Sequence, residues 1–170
     1  MGILEGKQIV VTGVLTDASL AYGVARTALA EGAQVVLTGA GRALSLTRRT
    51  ARKLGDGIPV FEFDVTVPEH VDAVRSQVAE VFGGRVDGVL HSIGYAPPSA
   101  LGDDFFAAPW DDVATAMHIS TYSLKVLADA FVPLMGDGGA FVGLDFDNSQ
   151  AFPAYNWMGV AKMALQSLSR

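Results

Sequence analysis

The sequence predicts an α/β fold, a doubly wound parallel sheet of five strands with helices on both faces. Short apolar runs rich in β-branched residues alternate with longer amphipathic stretches along all 170 residues. A strand that is covered on both faces reads as a continuous apolar run, and parallel neighbours need a helical crossover between them. The alternation therefore predicts the element order βαβαβαβαβα and the sheet order 3-2-1-4-5, with a ligand crevice at the carboxyl ends of strands 1 and 4.

Each predicted strand is a short apolar run bounded by turn residues. The first, residues 8–12, is the clearest, because its apolar run is continuous and ends at Thr12-Gly13. The other strands are predicted at residues 34–38, 59–63, 86–91 and 140–144.

The predicted helices follow from apolar spacing and from capping residues. Residues 19–31 carry Leu20, Val24 and Ala28 at helical spacing, and Gly32 stands where a glycine commonly ends a helix. The remaining helices are predicted at residues 42–54, at 68–82, at 110–135, and from residue 153 or 154 onward.

Composition limits the classes of function. The formal net charge is −6 and no basic run is long enough to indicate nucleic-acid binding. The absence of cysteine excludes disulfides, thiolate metal sites and a thiol nucleophile, and no other pattern resembles a metal site. No apolar stretch approaches about 18 residues, and the N-terminus lacks the apolar core of a signal peptide. We therefore expect a cytoplasmic chain with no membrane partner.

The turn after strand 1 has features of a dinucleotide site. Gly13 permits a sharp turn, small residues at Ser19 and Ala21 let the backbone approach a ligand, and Gly23 suits close helix–strand packing. The helix that starts here presents its positive end to a pyrophosphate. Ser19 could instead serve only as the helix N-cap. A strict G-x-G-x-x-G is absent, so the turn alone does not separate a nucleotide site from a plain βα turn.

Tyr155 and Lys162 form the second candidate motif. They stand seven residues apart, which on an α-helix is about two turns, so we expect both side chains on one face roughly 10 Å apart. A phenol and an ammonium on one face can serve one cofactor and one substrate. A lone tyrosine on a helix face is usually structural, but the preceding strand and the glycine turn favour a catalytic one.

These motifs together resemble a known family. The stretches 13–23, 64–65, 92–94 and 155–162 resemble the enoyl-acyl-carrier-protein reductases, a divergent branch of the short-chain dehydrogenase/reductases, and in particular their NADH-dependent mycobacterial, long-chain type. The resemblance extends over all 170 residues. Ordinary members of the superfamily place tyrosine and lysine four apart and carry a serine after strand 5, where this chain reads Leu144-Asp145-Phe146. These departures make the resemblance specific.

The resemblance implies a role for each matching residue. Tyr155 would donate to the thioester oxygen, Lys162 would bind the nicotinamide ribose, and Phe146 would face the nicotinamide and substrate. The other implied cofactor contacts are Gly13, Leu15, Ser19 and Leu20 at the pyrophosphate and neighbouring ribose, Asp64 and Val65 at the adenine edge, Ser92, Ile93 and Gly94 beneath the adenosine and nicotinamide ribose, and Ile119 beside the cofactor.

The cofactor preference rests on the end of strand 2. An acidic residue there would select the free 2′-hydroxyl of NAD, but the chain reads Thr38-Gly39-Ala40-Gly41-Arg42. Arg42 could reach a 2′-phosphate or could be the first exposed residue of a helix. The resemblance implies NADH, and NADPH stays open as an alternative.

The implied activity is NADH-dependent reduction of the 2,3-double bond of trans-2-enoyl thioesters, carried on acyl carrier protein or CoA, in fatty-acid or mycolic-acid-type biosynthesis. Two alternatives stay open: another short-chain NAD(P)H-dependent carbonyl reductase, although Ser149 falls out of register after Phe146, and a non-catalytic dinucleotide-binding module. A homotetramer is implied by the resemblance alone.

The remaining titratable residues are interpreted as structural. His91 and His118 are expected to be hydrogen-bonded structural residues rather than bases. The carboxylates of a loop and a helix start are expected to cap and solubilise: Asp103, Asp104, Asp111 and Asp112.

The family pattern continues past the position of Arg170 with a sixth strand, a substrate-covering loop and a seventh strand. We therefore expect residues 1–170 to be a single dinucleotide-binding domain that forms the N-terminal two-thirds of a longer enzyme. The last two strands of the family fold would lie after residue 170. An intact mass near 17.8 kDa would contradict this expectation.

Overall fold

The computed structural model describes residues 2–102, 104–147 and 149–170. They contain a five-stranded Rossmann-like sheet in the order β3-β2-β1-β4-β5, so the predicted order is confirmed. β1 pairs in parallel with β2 and with β4, and β2 pairs in parallel with β3. The strands are β1 (Gln8–Thr12), β2 (Gln34–Gly39), β3 (Val60–Glu62), β4 (Gly88–His91) and β5 (Ala140–Gly143).

Helices alternate with these strands, as the sequence predicts. They are α1 (Leu20–Ala30), α2 (Gly41–Ala51), α3 (Glu69–Phe82), α4 (Trp110–Met117), α5 (Ser123–Phe131) and α6 (Asn156–Ser169). Short 3₁₀ turns lie at Pro98–Ala100, Val132–Leu134 and Pro153–Tyr155.

The described chain divides into two compact units. The first contains Met1–Ser92 and Leu127–Val142, and the second contains Ile93–Val126 and Gly143–Arg170. The first holds the sheet apart from the last residue of β5, and the second holds α4 and α6. That residues 1–170 act as a single domain stays a prediction.

The centre of the sheet is a row of buried β-branched side chains. Val10 of β1 lies opposite Val36 of β2 on one side and Val89 of β4 on the other. All three are buried, which explains why β1 reads as a continuous apolar run. Full burial of each such side chain contributes roughly 1.5–3 kcal/mol.

The carboxyl ends of β1 and β4 approach each other closely. The Thr12 hydroxyl donates to the carbonyl oxygen of Leu90 over 2.9 Å and accepts the Ser92 N–H over 2.8 Å. Gly13 follows with φ +79°, and a Cβ there would lie 2.0 Å from the Ser92 carbonyl oxygen. This point of the sheet therefore requires glycine for both its conformation and its space.

The start of α1 confirms one role of Ser19 and contradicts the role predicted for Gly23. Ser19 is the N-cap: its hydroxyl accepts the Tyr22 N–H over 3.4 Å and donates to the Thr16 carbonyl over 2.7 Å. A Cβ on Gly23 would meet nothing within 4 Å. Close helix–strand packing at Gly23 was therefore a wrong prediction, because the space beside it is open.

Residues 110–134 are helical throughout, close to the predicted 110–135, but they do not form one regular α-helix. α4 ends at Met117, a π-helical turn spans His118–Tyr122, and α5 ends at Phe131. The helix cannot continue regularly past α5 because Pro133 has no N–H to donate and disfavours helical backbone before it.

Two hydroxyl groups of the π-helical turn bind backbone groups of the second unit. The Ser120 hydroxyl accepts the Tyr95 N–H over 2.9 Å and donates to the Tyr95 carbonyl over 2.8 Å. The Thr121 hydroxyl donates to the Ala161 carbonyl over 2.6 Å. The wider π-helical turn accompanies these contacts, which a helical periodicity in the sequence does not reveal.

Alanine in place of Gly13, in the βα turn, and alanine in place of Gly23, in α1, should have opposite effects on stability. We expect Gly13→Ala to lower the free energy of unfolding by at least about 2 kcal/mol, because the new Cβ meets the Ser92 carbonyl and the positive φ becomes strained. Gly23→Ala, the matched control inside α1, should raise it by about 0.5–1 kcal/mol. Urea unfolding followed by circular dichroism measures both, and equal effects of the two substitutions would contradict the close approach at Gly13.

Candidate active site

The first unit holds the predicted pyrophosphate contacts in the turn between β1 and α1. Leu15 is 41% exposed and Leu20 is 74% exposed, so two large apolar side chains face solvent beside the N-terminus of α1. The Leu15 backbone is fixed, since its carbonyl accepts the Thr50 hydroxyl over 2.9 Å. Gly13 and Ser92, from the ends of β1 and β4, lie in direct contact. Five of the predicted cofactor contacts thus lie at the carboxyl ends of the two central strands or in the turn that follows β1: Gly13, Leu15, Ser19, Leu20 and Ser92.

Asp64 is held in a turn after β3. Its Oδ1 accepts the Thr66 N–H over 2.9 Å and the Thr66 hydroxyl over 2.7 Å, and its own N–H donates to His70 Nδ1 over 3.0 Å. Val65, the next residue, is buried. The turn therefore occupies one carboxylate oxygen of Asp64, and contact of Asp64 and Val65 with an adenine edge stays a prediction.

The second unit brings Gly94 and Lys162 together. A Cβ on Gly94 would lie 3.8 Å from Lys162 Nζ and 4.0 Å from the Ser120 hydroxyl. Ile119, on the same π-helical turn as Ser120, is half-buried, as is Ile93. Gly94 and Lys162 therefore lie close together, and contact of either with a cofactor stays a prediction.

Lys162 carries an ammonium group in a buried position. The side chain is 8% exposed, and Nζ donates to the Leu144 carbonyl oxygen over 2.8 Å. Burial lowers the pKa of the Lys162 ammonium, and the nearby charge of Asp145 partly offsets this shift. A neutral carbonyl is a weak partner for a buried charge, so the group is well suited to bind a further acceptor.

Tyr155 departs from its predicted geometry. It lies in the 3₁₀ turn Pro153–Tyr155, and α6 begins only at Asn156, whose φ is +45° and ψ −124°. Lys162 lies within α6. The prediction of a helix from residue 153 or 154, with the phenol and the ammonium two turns apart on one helical face, is therefore wrong. The left-handed φ of Asn156 breaks the helix between the two residues.

The Tyr155 ring is packed among aromatic side chains. Phe146 stacks on it, with centroids 4.5 Å apart and planes 23° apart. Phe152 meets the Tyr155 ring edge-on at 6.1 Å and the Phe146 ring at 6.5 Å. Since Tyr155 is 44% exposed, these contacts orient a phenol that solvent or a ligand can reach.

These rings line a cavity of about 430 Å³ in the second unit. Its wall is mainly apolar, with Val160 and Met163 from α6 and Phe105 from the preceding loop. A mainly apolar cavity that a phenol and a few other polar side chains also line is suited to an apolar ligand that carries a polar group. Phe146 was predicted to face nicotinamide and substrate; the structure places it in this wall, against Tyr155.

Sequence patterns did not predict several residues that shape the β1–α1 turn of the first unit and the cavity of the second unit. Thr12 reads as the last residue of a strand, and Phe152 as an ordinary aromatic, although each orients a predicted site residue. Asn156 and Trp157 donate side-chain hydrogen bonds to the carbonyls of Asp104 and Phe105, 52 residues earlier in each case. No local signal in the sequence predicts contacts at this separation.

The titratable residues outside these regions have structural contacts. His91 is buried in β4, and the His118 ring packs edge-on against Tyr122 at 5.8 Å. Asp104 accepts the Phe106 N–H over 3.1 Å, and Asp112 accepts the Ser99 hydroxyl, whereas Asp103 lies outside the described residues.

The described residues lack both a group of metal ligands and a helix able to cross a membrane. In the ranges 2–102, 104–147 and 149–170, no three His, Cys, Asp or Glu side chains are grouped as metal ligands would be. None of the helices described there combines the length and apolar character needed to cross a membrane.

The buried Lys162 ammonium predicts a pH dependence of stability. Because its folded-state pKa lies below its unfolded value of about 10.4, the unfolded chain binds more protons between these two values. Stability contributed by this group therefore rises with pH across that window. We expect the stability of the wild type, relative to Lys162→Met, to increase as the pH is raised toward about 10.5.

Urea unfolding at a series of alkaline pH values measures this difference. Lys53→Met removes the charge of an exposed lysine and is the control for a change in net charge. Parallel pH profiles for the wild type and Lys162→Met would contradict the burial of a charged ammonium.

Comparison with known proteins identifies the family. Residues 13–170 match the family model described as Enoyl-(Acyl carrier protein) reductase. The chain is similar to proteins named enoyl-(acyl-carrier-protein) reductase (NADH): it is 48% identical over 174 residues to that of Mycolicibacterium smegmatis and 45% identical over 171 residues to that of Mycobacterium avium. It is 37% identical over 171 residues to the Neisseria meningitidis protein of the same name.

These alignments cover nearly all of this chain but less of each relative. They include 99%, 99% and 98% of this chain and 64%, 63% and 65% of the three relatives. The chain thus spans somewhat less than two thirds of the length of the curated relatives it matches. The match of the family model to residues 13–170, together with the Rossmann-like sheet, shows that the chain belongs to the enoyl-acyl-carrier-protein reductase family.

Proposed function

We propose that this chain takes part in the NADH-dependent reduction of the 2,3-double bond of trans-2-enoyl thioesters. The observation that carries the proposal is the reachable phenol of Tyr155, which is stacked on Phe146 in the wall of a mainly apolar cavity. An apolar chain that carries one thioester carbonyl matches this cavity in chemical character. The names of the relatives, all NADH-dependent enoyl reductases, support the same reaction.

The residues present fit a dinucleotide. Gly13 leaves out a side chain where two strand ends converge, and Leu15 and Leu20 offer exposed apolar surface beside the positive end of α1. We assign the pyrophosphate and neighbouring ribose to Gly13, Leu15, Ser19 and Leu20, and the adenine edge to Asp64 and Val65. The further assigned contacts are Ser92, Ile93, Gly94 and Ile119. When bound, NADH supplies the hydride.

Tyr155 is proposed to donate to the thioester oxygen of the substrate. Negative charge builds on that oxygen as the β-carbon is reduced, and a donor fixed in advance stabilises the charge without reorganisation. Phe146 and Phe152 hold the ring plane, so the hydroxyl keeps its direction. Phe146 also shapes the cavity wall beside the phenol and carries no proton.

Lys162 is proposed to bind the ribose hydroxyls of the nicotinamide nucleoside. Its ammonium is near the backbone of Gly94 and donates one hydrogen bond, to Leu144, which leaves donor capacity for a ligand. The positive charge also makes the local potential favourable for the developing enolate.

The wider biological setting is likewise a proposal. We place the reaction in fatty-acid or mycolic-acid-type biosynthesis, in the cytoplasm, with an enoyl chain carried on acyl carrier protein or CoA. A homotetramer is proposed from family membership, and the exposed side chains of Tyr122 and Leu168 are candidate contacts between subunits.

Carbonyl reduction is the second candidate, because a serine hydroxyl lies in the same cavity as Tyr155. Ser149 lines the cavity, but its backbone N–H donates to Asp147 Oδ1 over 2.9 Å. Hydrogen bonds from the Ser149 backbone and hydroxyl lower the pKa of the Asp147 carboxyl. Since the hydroxyl is engaged by this carboxylate, the arrangement favours enoyl over carbonyl reduction. A non-catalytic dinucleotide-binding module is the third candidate.

Removal of the Tyr155 hydroxyl tests the proposed reaction. We expect Tyr155→Phe to lower kcat/KM for trans-2-enoyl-CoA by about 10²–10⁴-fold, because a positioned donor is lost while the ring stack is kept. The dissociation constant of NADH should stay within twofold of the wild-type value. NADH oxidation at 340 nm and NADH fluorescence give the two quantities for the full-length protein.

Each candidate function predicts a different result in this assay. Turnover of ketones without turnover of enoyl thioesters would identify a carbonyl reductase. NADH binding with no turnover of either substrate would identify the binding module. Full activity of Tyr155→Phe would exclude the proposed role of the phenol.

The position of Arg42 predicts how strongly the protein binds NADPH relative to NADH. No acidic residue lies in the first turn of α2, and Arg42 is exposed there. We expect NADH to be preferred, as the names of the relatives suggest, with measurable use of NADPH. Arg42→Ala should weaken NADPH binding several-fold and leave NADH binding unchanged. Equal weakening of both cofactors would show that Arg42 does not contact the 2′-phosphate.

A further inference from the structure

Tyr155 is flanked by residues that are tied to one earlier segment of the second unit. We call this segment, made of Gly102, Asp104 and Phe105, the anchor loop. On one side of Tyr155, the Ala154 carbonyl accepts the Gly102 N–H over 3.2 Å. The next two residues after Tyr155 donate from their side chains to the other two members of the loop.

Asn156 makes the first of these side-chain contacts. Its Nδ2 donates to the Asp104 carbonyl oxygen over 3.1 Å, and only the amide nitrogen can make this bond because a carbonyl has no proton to give. The backbone of Asn156 has φ +45°, the only positive φ of a non-glycine residue among the described ranges. Such a conformation persists only where the surroundings fix it, and the bond to Asp104 is one such constraint.

Trp157 makes the second contact. Its Nε1–H donates to the Phe105 carbonyl oxygen over 3.1 Å. Its ring also stacks on the Phe105 ring, with centroids 4.6 Å apart and planes 17° apart. A ring stack and a directed hydrogen bond on the same half-buried side chain fix both the position and the rotation of the indole.

We propose that Asn156 and Trp157 are positioning residues, which hold the Tyr155 phenol in its reactive place by tying its backbone to the anchor loop. The inference rests on the proposed reductase function. α6 alone cannot hold Tyr155, because that residue precedes the helix and the left-handed turn at Asn156 separates them. The anchor loop fixes the backbone on both sides of Tyr155, and Phe146 fixes the ring.

The effect on rate follows from the tolerance of a catalytic donor to displacement. Donors must be held within about 0.5 Å of the productive geometry, and a misplacement of about 1 Å can cost roughly 10²-fold. Loss of one tie to the anchor loop, with the others kept, should therefore lower kcat about tenfold or more. Neither residue is assigned to cofactor binding, so the dissociation constant of NADH should not change.

Trp157→Phe tests the tie through Phe105. Phenylalanine can keep the stack on Phe105 but cannot donate the hydrogen bond. Trp110→Phe, the same change at the other tryptophan of the sequence, is the matched control, since Trp110 is 74% exposed at the start of α4. We expect a loss of about tenfold in kcat for Trp157→Phe, with KM and NADH binding within twofold of wild type, and no loss for Trp110→Phe.

Asn156→Asp tests the tie through Asp104. Aspartate has nearly the same shape as asparagine, but it replaces the donor by an acceptor that faces the Asp104 carbonyl. We expect a loss of kcat similar to that of Trp157→Phe. Thermal unfolding of each variant identifies loss of folding as a separate cause, and each variant removes a different tie to the anchor loop.

Double variants separate positioning from a general structural role. If Trp157 acts through the phenol, Trp157→Phe should lower kcat no further once Tyr155→Phe is present, because the group being positioned is absent. Additive losses would overturn the inference while the proposed function stands. A wild-type enzyme that does not reduce enoyl thioesters would instead overturn the proposed function, and the positioning role with it.

Tryptophan fluorescence gives a readout that needs no turnover. Trp110→Phe leaves Trp157 as the only tryptophan of residues 1–170, and any tryptophan after residue 170 in the full-length protein is also replaced by phenylalanine. We expect Asn156→Asp in this background to increase quenching of Trp157 by acrylamide, since release of Asp104 loosens the anchor loop that covers the indole. Unchanged quenching would show that the two ties are independent. It would contradict the claim that Asn156 and Trp157 hold Tyr155 through one anchor loop.

Discussion

The close approach of β1 and β4 is the constraint on which the first unit depends. The carboxyl ends of β1 and β4 must stay close together, although the chain continues from each end along a separate path. The Thr12 hydroxyl meets this need by bonding the backbone on both sides of β4's last residue, and Gly13 meets it by having no side chain. The residues assigned to the pyrophosphate begin at one of these ends, and Ser92 lies at the other. A larger residue at position 13 would separate the two ends before any ligand could be bound.

The sequence predicted those features that neighbouring residues determine. β1 was predicted with its observed bounds because a continuous apolar run has one stable environment, and Ser19 was predicted as an N-cap because a hydroxyl before a helix has a local partner. The start of α6 was not predictable in this way. It depends on Asn156, whose side-chain amide donates to a carbonyl 52 residues earlier, and no spacing in the sequence encodes such a contact. Gly23 shows the opposite error, since a motif position suggested a packing role that the open space beside it excludes.

The burial of the Lys162 ammonium lowers the stability of the second unit. An ammonium removed from water with a neutral carbonyl as partner is less stable than an apolar side chain of similar volume would be. The neighbouring residue, Ala161, is fixed by the Thr121 hydroxyl, so this stretch of α6 cannot easily shift to expose the charge. A fold that keeps such a group sacrifices stability for a site, as is common where binding requires an unsatisfied donor.

The π-helical turn at His118–Tyr122 makes the second unit more sensitive to chain length than to residue identity. Such a turn holds one residue more than an α-helical turn, so loss of one residue between Met117 and Ser123 would restore a regular helix. α5 would keep its phase relative to α4, but the residues within the turn, Ser120 and Thr121 among them, would have to change direction. The hydroxyls that meet Tyr95 and Ala161 would be turned away together, although each could be substituted separately at smaller cost. Among natural variants of this segment, changes of residue should therefore outnumber insertions and deletions.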